Sequence, residues 1–174
     1  MNHQDHVFLL RQGVKTTGGV WADLGSGTGA FTLALAELLG SAGVIYSVDQ
    51  DGRALREQAE VLRGRNPHTT LHTLTADFTR PLTLPPLDGL VMANSLHFVR
   101  HKEPVLQLIK GYLKDRGRLL LVEYNSDKGN PWVPYPLAYP TWAKLARQVG
   151  FSHTELLATV PSRFLGEIYA AASW

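Results

Sequence analysis

Cysteine is absent from the 174-residue chain, which excludes disulfides, thiolate metal sites and any cysteine nucleophile. No apolar run approaches the ~20 residues that span a bilayer, so no membrane partner is expected. Met1 to His6 is polar, unlike a secretory signal, and a cytoplasmic location is the expectation. Neither charge sign dominates, with 17 Lys+Arg against 15 Asp+Glu. A dedicated nucleic-acid binder would show a basic stripe, and none is present. Repeats and low-complexity stretches are missing too. With 44% apolar residues the length suits one core, so a single domain over 1–174 is expected. Within it, 1–19 would be an N-terminal helix and lead-in, and 20–174 the core.

What the chain contains is an alternation of aliphatic runs and helical periodicity. Val20 to Leu24 reads as a strand. Phe31, Ala34, Leu35, Leu38 and Leu39 then follow at one-face helical spacing. Val44 to Val48 predicts a second strand, Ala54, Leu55, Ala59 and Leu62 a second helix, Asn66-Pro67 a turn, and Leu71 to Ala76 a third strand. Pro81, Pro85 and Pro86 bar a regular helix over 79–87. Leu90 to Ala93 is a fourth strand. Pro104 sits where a first helical turn tolerates it, ahead of Val105, Leu108, Ile109, Tyr112 and Leu113. A strand from Arg118 to Tyr124, a proline-rich connection over 125–140 and a helix through Trp142, Leu145, Ala146 and Val149 follow. Two strands, His153 to Val160 and Glu167 to Trp174, end the chain with no helix between them. The alternation predicts an α/β fold, a doubly wound, mostly parallel sheet with helices on both faces. The directly joined last strands make the final one antiparallel. Asp5 to Gln12, with Val7, Phe8, Leu9 and Leu10, predicts a short helix, and either closure over a ligand cleft or an oligomer contact would suit it.

Between the first strand and its helix lies Asp23-Leu24-Gly25-Ser26-Gly27-Thr28-Gly29. Glycines there let the backbone turn sharply and approach a ligand, and the helix N-terminus offers free N–H donors. Asp49, at the end of the second strand, can accept hydrogen bonds from both hydroxyls of a ribose. Asp77 ends the third strand, and Phe78 after it suits a purine face. Asp51 reads as a solvated strand-end acid. Three acids ending adjacent strands mark the place where doubly wound sheets bind ligands.

Together with Tyr46-Ser47-Val48-Asp49, Thr75-Ala76-Asp77-Phe78, Asn94-Ser95-Leu96-His97-Phe98 and Arg118-Leu119-Leu120-Leu121-Val122-Glu123, this loop makes the chain resemble the class I S-adenosylmethionine-dependent methyltransferases. The resemblance runs from about Val20 to the end. It implies a seven-stranded sheet of order 3-2-1-4-5-7-6 and S-adenosylmethionine as methyl donor. Gly25, Gly27 and Gly29, with Ser26, would face the methionine portion, and Asp23 would fix the loop. Asp49, with Gln50 beside it, would hold the ribose. Asp77 and the Phe78 backbone would read the adenine edge, and Asn94 would sit near the sulfonium. Ser26 stands where relatives often have cysteine, and Asp115-Arg116-Gly117 where many have a Pro-Gly-Gly turn. The Asn-Pro-Pro-Tyr motif of amino-group DNA and glutamine methyltransferases is absent.

Methyl transfer asks little of side chains beyond alignment, but a hydroxyl or protonated amine acceptor must lose a proton. His97, Glu123 and Tyr124 are the candidates for that role by position. Trp132 and Tyr135, in the long connection, are the expected walls of a pocket for a small-molecule acceptor, flat or aromatic rather than polymeric. His3/His6, His68/His72 and His97/His101 lie three or four apart, but none of these pairs combines a helical stripe with an added carboxylate ligand, and no metal site is expected. Two rivals stand beside this reading. Gly25-x-Gly27-x-x-Ala30 with Asp49 also fits a nicotinamide-dependent oxidoreductase, and a non-catalytic S-adenosylmethionine-binding protein would share every cofactor residue.

Overall fold

In a computed structural model, described for residues 1–66 and 68–174, an open sheet carries helices on both faces. Parallel strands β1 (Gly19–Leu24), β2 (Gly43–Asp49), β3 (Thr70–Thr75), β4 (Leu87–Ala93) and β5 (Leu113–Tyr124) are joined through helices or loops. Strands β6 (Thr154–Ser162) and β7 (Gly166–Ser173) close the chain as a hairpin. The order is 3-2-1-4-5-7-6, with β7 antiparallel to both β5 and β6, as expected from two terminal strands with no crossover helix. Pro67 lies outside the described residues, so the turn expected at Asn66-Pro67 is described only at Asn66.

Alternation along the central strands decides the layering. Leu119 and Leu121 join a core with Leu90, Met92 and Trp142, under α4 (Lys102–Tyr112) and α5 (Tyr139–Gln148). Leu120 and Val122 join the opposite core with Val91, Ile45 and Trp21, under α1 (His3–Leu10) and α2 (Ala30–Leu39). Helix α3 (Gly52–Arg65) adds Leu62 to this second core. Both faces are covered, so successive residues of β5 are apolar and buried instead of alternating with polar ones. Each fully buried aliphatic side chain contributes about 1.5–3 kcal/mol.

Several boundaries differ from the sequence expectation, and three of the differences have a local physical cause. Helix α1 begins at His3 instead of Asp5, because Asn2 and Asp5 cap it reciprocally: the Asn2 side chain accepts from the Asp5 amide at 3.0 Å and Asp5 accepts from the Asn2 amide at 2.8 Å. Strand β5 begins at Leu113 and absorbs Asp115-Arg116-Gly117 as an irregularity in its pairing with β4, with Arg116 at φ +68°. Pro140 lies in the first turn of α5, which shortens the connection to 125–138.

Candidate active site

All five parallel strands end on one edge of the sheet, and the predicted cofactor residues emerge there. The glycine-rich loop after β1 is stitched to β2 by the amides of Gly25 and Ser26, which both donate to the Val48 carbonyl at 2.8 and 3.1 Å. Gly25 holds φ +75°, and a Cβ there would lie 2.5 Å from the Ser95 Cβ; only glycine lets this turn pass so close to the segment after β4. Gly27, at φ +53°, has open space where a Cβ would project. Gly29 faces the other way, against Gln58, and N-caps α2 with no side-chain cap, which leaves the first amides of that helix free.

Asp49 accepts from the Gly27 amide at 2.7 Å and from the Asp51 amide at 2.9 Å, one bond on each oxygen. A second lone pair stays open on each. Asp51 is an N-cap instead of a merely solvated acid: its carboxylate accepts from Arg53 and Ala54 at 2.8 and 3.2 Å and starts α3. Asp77 accepts from both the hydroxyl and the amide of Thr79, at 2.7 and 2.8 Å. These bonds hold its carboxyl below the usual carboxylate range.

Two hollows flank the loop. One, of about 360 Å³, is lined by Asp49, Gln50, Asp77, Phe78 and, across from them, Phe98 and Val99. The other, of about 250 Å³, lies between Ser26-Gly27-Thr28 and the start of α1, where Met1 and His6 face Asp23. Gly25 and Asn94 border both. Asn94 takes φ +52°, and its Oδ1 is buried without a hydrogen-bond partner, as is Nδ1 of His6. Buried polar atoms are rarely left unpaired, and here two such atoms border the same hollow. A larger hollow of about 540 Å³ at Arg100, Lys102, Pro104 and Leu145 holds none of these carboxylates.

Beneath the loop lies a buried polar network that the sequence reading did not find. Thr32 donates to Asp23 at 2.6 Å, Gln58 donates to Thr32 at 2.6 Å, and the Ser47 hydroxyl lies 2.7 Å from both Gln58 Oε1 and the Ser26 hydroxyl. One signal was available, since Gln58 interrupts the apolar stripe of Ala54, Leu55 and Leu62 on α3. His6 carried no comparable signal. Burial pushes Asp23 up to about 7; the Thr32 hydrogen bond opposes this and the Asp49 charge adds to it. The folded pKa therefore exceeds the ordinary 3.8 of an unfolded aspartate. Between those values the folded chain binds more protons than the unfolded one, so stability falls as pH rises through the window. The cost is fully present above pH 7. Asp23→Asn keeps an acceptor for Thr32 and removes the ionisation. Urea unfolding at pH 5 and pH 8 is expected to show the wild type losing stability across the interval and the variant gaining on it by a few kcal/mol. Parallel behaviour of the two would show that Asp23 stays ionised throughout.

The three candidate proton acceptors come together beside this cleft. His97 follows β4 and Glu123 ends β5, and the pairing of Ala93 with Val122 brings them side by side. His97 Nδ1 lies 2.9 and 3.0 Å from the two Glu123 oxygens. Glu123 also accepts from the amides of His97, at 3.1 Å, and Tyr124, at 2.8 Å. Both side chains are buried. With Nδ1 donating to the carboxylate, the neutral ring presents its lone pair at Nε2, which has no partner among the described residues. Burial raises the Tyr124 hydroxyl pKa above its usual range, and the Glu123 charge adds to this.

Trp132 and Tyr135 do not line either hollow. Tyr135 ties the connection to the segment after β4, donating its amide to the His97 carbonyl at 3.0 Å, while Lys102 Nζ donates to the Tyr135 and Val99 carbonyls at 2.7 and 2.8 Å. Trp132, 72% exposed, packs its ring edge-on to Phe164 at the tip of the β6–β7 hairpin, 6.3 Å between centroids.

An open sheet of this order, its glycine-rich loop and the strand-end carboxylates define a Rossmann-like methyltransferase, and the sequence profile of the "Methyltransferase domain" family matches residues 22–119. The chain belongs to the class I S-adenosylmethionine-dependent methyltransferases, and S-adenosylmethionine is the methyl donor of that family. It is 30% identical over 139 residues to a demethylmenaquinone methyltransferase of Lactobacillus johnsonii; the match covers 76% of this chain but 57% of that protein, so the chain spans a little over half its relative's length. Among solved structures, the YcgJ protein of Bacillus subtilis superposes with a TM-score of 0.77 at 10% identity, covering 98% of both chains. An S-adenosylmethionine-dependent methyltransferase from Aquifex aeolicus gives 0.71 at 18% identity, over 97% of this chain and 90% of that one. Nothing in these likenesses favours the oxidoreductase reading. No helix among the described residues is long and apolar enough to cross a membrane.

Proposed function

We propose that this chain transfers the methyl group of S-adenosylmethionine to a hydroxyl of a small-molecule acceptor, with His97 as general base and Glu123 as its positioning partner. The observation that carries the reading is the buried His97–Glu123 pair beside the hollow bordered by Asp49, Asp77 and Asn94. The bound donor would supply an activated methyl on a good leaving group. In the wider hollow, Asp49 would hold the ribose, with Gln50 alongside. The free oxygen of Asp77 and the Phe78 amide would meet the adenine edge. Across Gly25 and Gly27, the orphaned Asn94 Oδ1 suits an ammonium group. His6 and the uncapped N-terminus of α2 suit a carboxylate. The residues present fit the group.

His97 would take the acceptor proton at Nε2. Glu123 would fix the ring's orientation and stabilise the imidazolium that forms. Tyr124, whose hydroxyl stays protonated at neutral pH, acts as a donor rather than a base. A cytoplasmic location and a single-domain organisation over 1–174 belong to the same proposal; both accord with the composition.

The test is label transfer from methyl-labelled S-adenosylmethionine to a panel of small hydroxylated compounds. His97→Gln is expected to lower turnover about 10²–10⁴-fold. Affinity for S-adenosylhomocysteine should stay within about threefold, less than 1 kcal/mol. Unchanged turnover in the variant would remove His97 from the mechanism. Cofactor binding with no acceptor turned over would leave a binding protein.

A further inference from the structure

Outward from the cleft runs a continuous series of aromatic rings drawn from separate segments. Phe98 borders the wider hollow and packs on His97, 4.3 Å between centroids. His97 lies 6.0 Å from Tyr124, Tyr124 lies 5.8 Å from Phe164, and Phe164 meets Trp132. Three of these rings stand out in solvent: Phe98 is 62% exposed, Trp132 72% and Phe164 49%. Single exposed apolar side chains are ordinary, and Met1, Val61 and Leu156 are such cases here. Rings brought by the turn after β4, the 125–138 connection and the β6–β7 hairpin tip into one series, in which Phe98 and Tyr124 meet a buried histidine and Phe164 and Trp132 continue outward from Tyr124, are not. Exposed aromatic rings gathered in this way point to a binding site.

We propose that Phe98, Phe164 and Trp132 form the acceptor site, and that its acceptor is a planar aromatic hydroxyl compound whose ring lies against theirs. The proposal rests on the methyl-transfer reading and adds to it the substrate class. Aromatic side chains on loops offer large contact area for two fixed torsions each, so their ordering cost is small. Stacked or edge-on contact favours a flat ring over a puckered one of equal size, by roughly two- to tenfold per ring. The hydroxyl of such an acceptor, with its ring on Phe98, points toward His97 Nε2. There the acceptor oxygen bonds to the methyl carbon as the carbon–sulfur bond breaks. The bonding pair stays on sulfur, and the hydroxyl proton passes to Nε2. Trp132 lies at the open end of the series, so substituents on the far side of the ring extend into solvent.

The experiment titrates 2-naphthol and its saturated counterpart, decahydro-2-naphthol, into the full chain, free and with S-adenosylhomocysteine present, by calorimetry. The expected result is at least tenfold tighter binding of 2-naphthol. Phe164→Ala, at an exposed hairpin tip, should weaken 2-naphthol at least fivefold with S-adenosylhomocysteine affinity within threefold. Trp132→Phe should retain binding that Trp132→Ala loses. Equal binding of the two naphthols, or a Phe164→Ala variant that binds 2-naphthol like the wild type, would overturn the proposal. Failure of S-adenosylhomocysteine to bind would instead count against the methyl-transfer reading, since the naphthol comparison in the free chain still decides the acceptor class.

Discussion

Asp49→Ala is expected to weaken S-adenosylhomocysteine binding by about 2–4 kcal/mol, the loss of a pair of charge-assisted hydrogen bonds to a ribose. Part of that loss would come through the loop, because Asp49 also holds the Gly27 amide at 2.7 Å and so presets the backbone that a ligand meets. Asp49 is only partly buried, so the fold should tolerate the change. Asp51→Ala is the control. It removes the N-cap of α3 and should cost about 1 kcal/mol of stability with cofactor affinity intact. Calorimetric titration of the two variants separates the roles, and wild-type affinity in Asp49→Ala would remove Asp49 from the ribose site.

Glu123→Ala should cost several kcal/mol of folding stability, about 1–3 kcal/mol for each buried donor left without an acceptor. Its carboxylate is fully buried and accepts from His97 Nδ1 and from the His97 and Tyr124 amides. Removing it leaves those donors facing a dry gap. The half-buried Lys102, whose pKa burial lowers and the Glu123 charge raises, would lose that opposing charge as well. Glu123→Gln keeps the volume and one acceptor, and so should lose less. Urea unfolding measures both. A loss below about 1 kcal/mol for the alanine variant would mean that water reaches the site, and the fixed tautomer of His97 would no longer follow.

Strand direction was legible because it follows from the alternation of elements and from two terminal strands without a helix between them, whereas the sheet order came with the resemblance to the methyltransferase family. The cofactor acids were legible for a related reason: Asp49 closes its strand and Asp77 lies two residues past the end of β3, and parallel topology brings such ends together whatever the loops do. The His97–Glu123 pair was only half legible. Each residue stood out by position, but their contact depends on the register of β4 against β5, with Ala93 opposite Val122. That register absorbs an irregularity at Arg116 which no periodicity announces. Phe164 and His6 were invisible, being single residues at a hairpin tip and on a terminal helix whose neighbours are set by tertiary packing alone. The long connection was read as a wall of the acceptor pocket. In the structure its Trp132 stands beyond Phe164 and lines neither hollow.

The most direct test of the account is a crystal structure of the chain with S-adenosylhomocysteine. The account places the ribose hydroxyls on Asp49, the adenine beside Phe78 with its amino group at Asp77, the amino-acid end against Asn94 and the start of α2, and the sulfur on the side of the cleft that opens toward His97. A ligand seated in the hollow at Arg100 and Leu145, or bound with its sulfur turned away from His97, would contradict it.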